Sequence, residues 1–232
     1  MTQVMAHRGA SKVELENTTL AFARALEMGA DAVELDVRRC GSGELVVHHD
    51  PKLSDGRIIF SVDKRDLPTH IPSLAEALDA CGSMWVNIEI KNDPKEPDFD
   101  PQEVTTRKVV DFLRERGSLD RWLISSFRRE TVDLIRSLMP ELKTAWLVMT
   151  IDDAQLETVA SEMASQGHTA LHPWVKQLSQ RMVDVFHRHG LQINTWTCDD
   201  PRRMRELVEW QVDGICTNVP DLALQGINSP KY

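Results

Sequence analysis

The sequence predicts an α/β protein, a single (β/α)8 barrel with a short insertion after its second strand, and three observations carry that expectation. Short apolar runs alternate eight times with segments of helical period along 232 residues, as parallel strands joined by crossover helices require. The turn after the first strand carries no G-x-G-x-x-G, which argues against a doubly wound open sheet. No linker, short repeat or low-complexity stretch divides the chain, so residues 1–232 read as one domain.

The first strand is expected at 3–6 (QVMA), followed by the helix TTLAFARALEMG. The second strand, 31–37 (DAVELDV), makes a Gly-Ser-Gly turn into a further apolar run, ELVVHHD, and then a polar excursion to Pro72. That stretch, 44–71, is the insertion. The helix SLAEALDACG leads to the third strand at 84–90 (MWVNIEI), and EVTTRKVVDFLRERG to the fourth at 121–125. RETVDLIRSLMP precedes the fifth strand at 143–149, DDAQLETVASEMASQG the sixth at 168–172, LSQRMVDVFHRHG the seventh at 191–197 and DPRRMRELVEWQ the eighth at 213–217. The helices end at Gly or Pro and several start at Asp, Ser or Thr, as capping chemistry favours.

A formal net charge of −9 argues against nucleic acid and anionic membrane surfaces as partners, since both would be repelled. Cys40, Cys81, Cys198 and Cys216 lie far apart with no C-x-x-C pair, so they read as ordinary thiols in a reducing compartment. The N-terminal MTQVMAHRGA lacks an apolar signal core and no run approaches a membrane span, so a cytoplasmic protein without membrane insertion is expected.

Polar residues gather where the strands end. On a strand, residues two apart share a face, so Glu34 and Asp36 project together while Val33, Leu35 and Val37 face the other way. Two carboxylates on one patch need a bound cation, a basic side chain or a shared proton. Asn87, Glu89 and Lys91 alternate in the same way along NIEIK and should point inward. Branched apolar residues normally fill a barrel, so these three acids make a poor core and a good oxygen cage for a hard divalent cation. Arg8 and Lys91 would bring local positive charge for a phosphate, or pair with the acids instead. Trp196 suits an apolar wall or plain packing. Glu16 and Asn17 could position a metal or a ligand hydroxyl, or Asn17 could cap the first helix. His172 is a weaker site candidate whose place before Pro173 favours a structural role, and His187 and His189 are spaced wrongly on a helix to share a metal.

HRG near the N-terminus, ENT after it, E-x-D on the second strand, V-V-x-H-D with Leu53 four residues beyond His49, E-x-K on the third strand and the closing VDGICTNVPD together resemble the glycerophosphodiester phosphodiesterases of cytoplasmic bacterial type. The resemblance spans essentially the whole chain. Leu15 stands where the family often has Pro, and SDGR (54–57) replaces its usual Arg-Thr-Thr segment. The resemblance implies that Glu34, Asp36 and Glu89 bind a divalent metal and that His7 and His49 are the general acid and base. It implies hydrolysis of a small-molecule glycerophosphodiester to sn-glycerol 3-phosphate and an alcohol. An all-oxygen site suits Mg2+ or Ca2+. Spacing to Asp50 and Leu53 selects His49 over His48, which would face the other way on a strand. Alternatives are a lysophospholipase D type of activity, which would call for an apolar rim, a non-catalytic phosphodiester-binding barrel, and a Schiff-base barrel centred on Lys91.

Overall fold

A computed structural model describes residues 1–228; the last four residues of the expected domain lie outside them. Eight parallel strands close into a barrel: β1 (Gln3–His7), β2 (Ala32–Arg39), β4 (Trp85–Ile90), β5 (Trp122–Ser126), β6 (Lys143–Val148), β7 (Ala170–Pro173), β8 (Gln192–Thr195) and β9 (Gly214–Thr217). Each pairs with the next, and β1 pairs with both β2 and β9, which leaves the barrel no free edge. The helices α1 (Thr19–Met28), α2 (Leu74–Ala80), α3 (Val104–Arg116), α4 (Arg129–Leu138), α5 (Leu156–Ser165), α6 (Gln180–Arg188), α7 (Pro201–Glu209) and α8 (Pro220–Asn228) ring it. No helix among the described residues is long and apolar enough to cross a membrane.

Strand alternation decides what fills the centre. Outward residues such as Val33, Leu35, Val37, Val86, Ile88 and Ile90 pack under the helices in one large core, and Val4, Leu171, Ile193 and Ile215 belong to a second. Inward residues at the strand starts are apolar or small, among them Met5, Ala32, Leu123, Ala145, Ala170 and Cys216. Two residues further on, at His7, Glu34, Ser125, His172 and Asn218, the inward series turns polar, with Leu147 on β6 the exception.

Capping fixes where helices begin. Thr18 Oγ1 accepts from Ala21 N at the start of α1, and Ser73 with Glu76 forms a reciprocal capping box on α2. Gly9 explains the glycine of HRG: its φ is +82°, and a Cβ there would lie 2.6 Å from the Ala21 backbone.

The insertion is a hairpin wing. β3 (Leu45–Val47) pairs antiparallel with Val37–Arg39, beyond the part of β2 that β1 covers. Two single turns, Ile59–Ser61 and Lys64–Asp66, follow. Cys40, Val46, Leu53, Ile59, Val62, Leu67 and Ile71 bury one another and give the wing its own small core. SDGR forms an exposed turn closed by Leu53 N donating to Arg57 O.

Candidate active site

The β2–β4 register sets Asp36 beside Glu89 and Glu34 beside Asn87. All three carboxylates are buried, and each offers an oxygen within 4.8 Å of the others. Burial, then repulsion from Asp36 and Glu89, pushes the Glu34 carboxyl well above its ordinary range. Glu89 is raised as well, again mainly by burial. Burial opposes the charge of Asp36 too, but Lys91 and Arg8 outweigh it and hold this carboxyl below its usual range. Lys91 Nζ lies 2.7 Å from Glu89 Oε1 and 3.6 Å from Asp36 Oδ1, and Arg8 Nε lies 3.2 Å from Asp36 Oδ2.

These cations leave part of the acid cluster unmet. Glu34 Oε1 and Asp36 Oδ1 are buried with no hydrogen-bond partner. Uncompensated carboxylate charge at that depth costs on the order of several kcal/mol, and a cation is the simplest compensation. Three carboxylates on two neighbouring strands form an all-oxygen donor set, which fits a hard ion such as Mg2+ or Ca2+.

His7 ends β1 in register with Glu34, its Nε2 3.9 Å from Glu34 Oε2. Its Nδ1 donates to Asn218 Oδ1 at 2.7 Å. That amide is itself oriented: Asn218 Nδ2 donates to Asp199 Oδ2 at 2.7 Å, and Ser11 Oγ donates to Asn218 Oδ1 at 3.0 Å. His7 therefore carries its proton on Nδ1 and keeps a lone pair on Nε2. Burial is the main cause that lowers its pKa, so the ring is neutral at pH 7.

His49 sits where the wing meets the barrel mouth, with Nδ1 2.7 Å from Asp50 Oδ1. Its carbonyl accepts from Arg38 Nε at 2.9 Å and Nη2 at 2.6 Å. Arg38 is buried and is held in turn by Glu96 at 2.9 Å and Asp98 at 2.7 Å. His49 lines the cavity at the mouth; His48 does not, and its Nδ1 is 2.9 Å from Asp50 O.

The cavity holds about 180 Å3 and is bounded by His7, Arg8, Glu34, His49, Glu89, Lys91 and Trp196. Trp196 meets Phe127 edge to face at 5.3 Å and donates from Nε1 to His172 O at 2.8 Å. Asp36 and Asn17 are buried behind this lining, and Glu16 is exposed beside Arg8. Glu16 Oε1 accepts from Arg8 Nη1 at 2.9 Å, and Asn17 Nδ2 donates to Asp36 Oδ2 at 2.8 Å. Asn17 does not cap α1; Thr18 does, because Asn17 takes a left-handed backbone (φ 57°) that aims its amide at Asp36. His187 and His189 are apart from the site, facing Asp213 and Glu157.

Sequence reading missed Asn218, Asp199 and Arg38. The clue for Asn218 is its place just after β9, which barrel closure brings back to the end of β1. Arg38 continues the inward alternation of Glu34 and Asp36 by one step.

Chemistry gathered at the carboxyl ends of barrel strands is the arrangement of a (β/α)8 barrel enzyme, and comparison with known proteins narrows the class. Residues 7–222 match the glycerophosphoryl diester phosphodiesterase family, and the chain belongs to it. A glycerophosphodiester phosphodiesterase from Bacillus altitudinis is 31% identical over 252 residues, spanning 97% of this chain and 98% of its own. Another, from Caldanaerobacter subterraneus, is 30% identical, with 95% of both chains covered. An Oleispira antarctica phosphodiesterase solved in complex with the product sn-glycerol-3-phosphate superposes with a TM-score of 0.87 at 25% identity, covering 99% of this chain and 98% of that one.

Proposed function

We propose that the protein hydrolyses glycerophosphodiesters to sn-glycerol 3-phosphate and an alcohol. The observation that carries this reading is the convergence of three carboxylates, two cationic side chains and two imidazoles on one cavity mouth. Glu34, Asp36 and Glu89 hold a divalent cation, Mg2+ or Ca2+, which when bound supplies Lewis-acid stabilisation of the charge developing on phosphate oxygen. Arg8 and Lys91 bind the non-bridging oxygens, their charges secured by the acids around them. Asn17 orients Asp36, Glu16 orients Arg8, and Trp196 covers the glycerol carbons.

His7 and His49 divide the proton transfers. His7, neutral with its Nε2 lone pair free, takes the proton from the attacking oxygen, and His49 delivers a proton to the leaving alkoxide. The bond from phosphorus to the alcohol oxygen breaks as the new P–O bond forms. The four buried free thiols favour a reducing, cytoplasmic setting. The deciding experiment is metal-stripped protein resupplied with single cations against a panel of glycerophosphodiesters, with enzymatic detection of sn-glycerol 3-phosphate. Release with Mg2+ or Ca2+ is expected; no release with any cation overturns the reading.

A further inference from the structure

The cavity has two chemically different walls. β1, β2, β4 and the wing contribute the charged groups, whereas the wall from β5 to β9 contributes only uncharged ones. Two polar side chains stand within that second wall, where barrel interiors usually carry branched apolar residues. Leu171 pairs with Ile193 across β7 and β8, so the next residues, His172 and Asn194, are neighbours facing inward. Asn194 Nδ2 donates to His172 Nε2 at 3.0 Å. Both are deeply buried, at 2% and 4% exposure, and both line the cavity.

One hydrogen bond does not satisfy this pair. With Nε2 accepting, the imidazole proton is on Nδ1, which has no hydrogen-bond partner among the described residues. A donor on the cavity lining that no protein group takes up is open to a ligand. Desolvation holds the His172 pKa down to about 3, so the ring stays uncharged at working pH. It therefore brings no positive charge to a phosphate. Leu147, its register partner on β6, offers nothing polar to compete. Asn87 Oδ1 is also buried without a partner and lines the same cavity. A hydroxyl, which accepts and donates at once, suits both unmet groups.

We propose that His172, set in place by Asn194, is a specificity-determining residue that binds the substrate hydroxyl remote from the phosphate, so that the uncharged wall reads a polyol. The proposal rests on the phosphodiesterase reading above and extends it to the substrate's glycerol half. The phosphate lies over Arg8 and Lys91, and the three-carbon unit crosses the cavity to β7. A volume of about 180 Å3 suits so small a unit; pockets for drug-sized ligands measure roughly 300–1,000 Å3.

The test compares nitrophenyl phosphodiesters of glycerol and of propane-1,2-diol, which keeps the hydroxyl beside the phosphate and lacks only the remote one. The wild-type protein is expected to favour glycerol in kcat/KM by about 10- to 100-fold, the scale of one buried hydrogen bond. His172→Leu should bring that ratio close to 1 by losing activity on the glycerol substrate alone, and His172→Gln should restore part of it. Calorimetric titration with sn-glycerol 3-phosphate and with propane-1,2-diol phosphate reads the same discrimination without turnover. Binding discrimination that His172→Leu removes supports the proposal even where neither diester is hydrolysed, an outcome that overturns only the phosphodiesterase reading. An unchanged ratio in His172→Leu, or equal losses on both substrates in the folded variant, overturns the specificity role.

Discussion

Asn218 Oδ1 accepts the Nδ1 proton of His7 at 2.7 Å, and Asp199 grips the same amide from its other end. The three side chains form a chain that fixes one imidazole tautomer. Asn218→Leu removes the acceptor, so the His7 proton is no longer confined to Nδ1. A fall in kcat of roughly 10- to 100-fold with little change in KM is expected, part of the 10²- to 10⁴-fold typical of a general base. Nitrogen chemical shifts of the His7 ring check the cause: the wild type should show one tautomer and the variant a mixture.

The two histidines of the mouth should separate by leaving group. His7→Ala and His49→Ala are each expected to lower kcat by roughly 10²- to 10⁴-fold with the fold retained, and His48→Ala by less than about tenfold. A nitrophenolate leaving group needs no proton, so it should rescue His49→Ala far better than His7→Ala. The opposite pattern would exchange their roles.

Chelation should abolish turnover, and the acid cluster gives that loss a thermodynamic counterpart. Glu34 has a folded pKa above its unfolded one, so folding retains a proton that the unfolded chain releases above about pH 4.5. Metal-free stability therefore falls as pH rises through that window. Glu34→Gln removes this titration, and above that window the chelated variant should melt higher than the chelated wild type, by about 1–3 kcal/mol in stability. The same variant should lose the rise in Tm that Mg2+ or Ca2+ gives the wild type. Equal cation-induced shifts in both proteins would remove Glu34 from the metal site.

His172 predicts the acid side of the stability curve. Its folded pKa of about 3 lies below the ordinary 6.5 of the unfolded chain, so the unfolded state binds the extra proton. The stability from its neutral burial is complete above about pH 6.5 and drains away as pH falls toward 3, by about 1.4 kcal/mol per unit. Urea titrations across pH 4 to 7 should show a shallower slope for His172→Leu than for the wild type.

Arg38 should behave as an internal strut. Arg38→Leu strands the Glu96 and Asp98 carboxylates and frees the His49 carbonyl. A loss of about 3–5 kcal/mol is expected on unfolding. Any folded fraction should show low kcat with cation affinity close to normal, measurable by titration calorimetry.

The barrel and its acid cluster were legible because both follow from period two along single strands: Glu34 with Asp36, and Asn87 with Glu89 and Lys91. What supports the histidines was not, because Asn218 meets His7 across 211 residues and Arg38 meets Asp98 across 60. Such pairings arise from closure and register, which leave no local pattern. Of the two roles the sequence left open for Asn17, capping falls to its neighbour: Thr18 caps, and Asn17 turns toward Asp36. The inward face of His172 was not legible from its place before Pro173, because that constraint confines the backbone and says nothing about which way the ring faces.

The separate core of the hairpin wing gives the two imidazoles unequal foundations. His7 is rooted in the closed barrel, while His49 hangs on Cys40, Val46, Leu53, Ile59 and their few companions. Small clusters open at lower free energy than the body they are attached to. Warming or mild denaturant should thus displace His49 first, with the barrel standing and the carboxylates still assembled. The operating ceiling of the protein is then set by the wing's small cluster, and hardening the wing should raise that ceiling further than hardening the barrel.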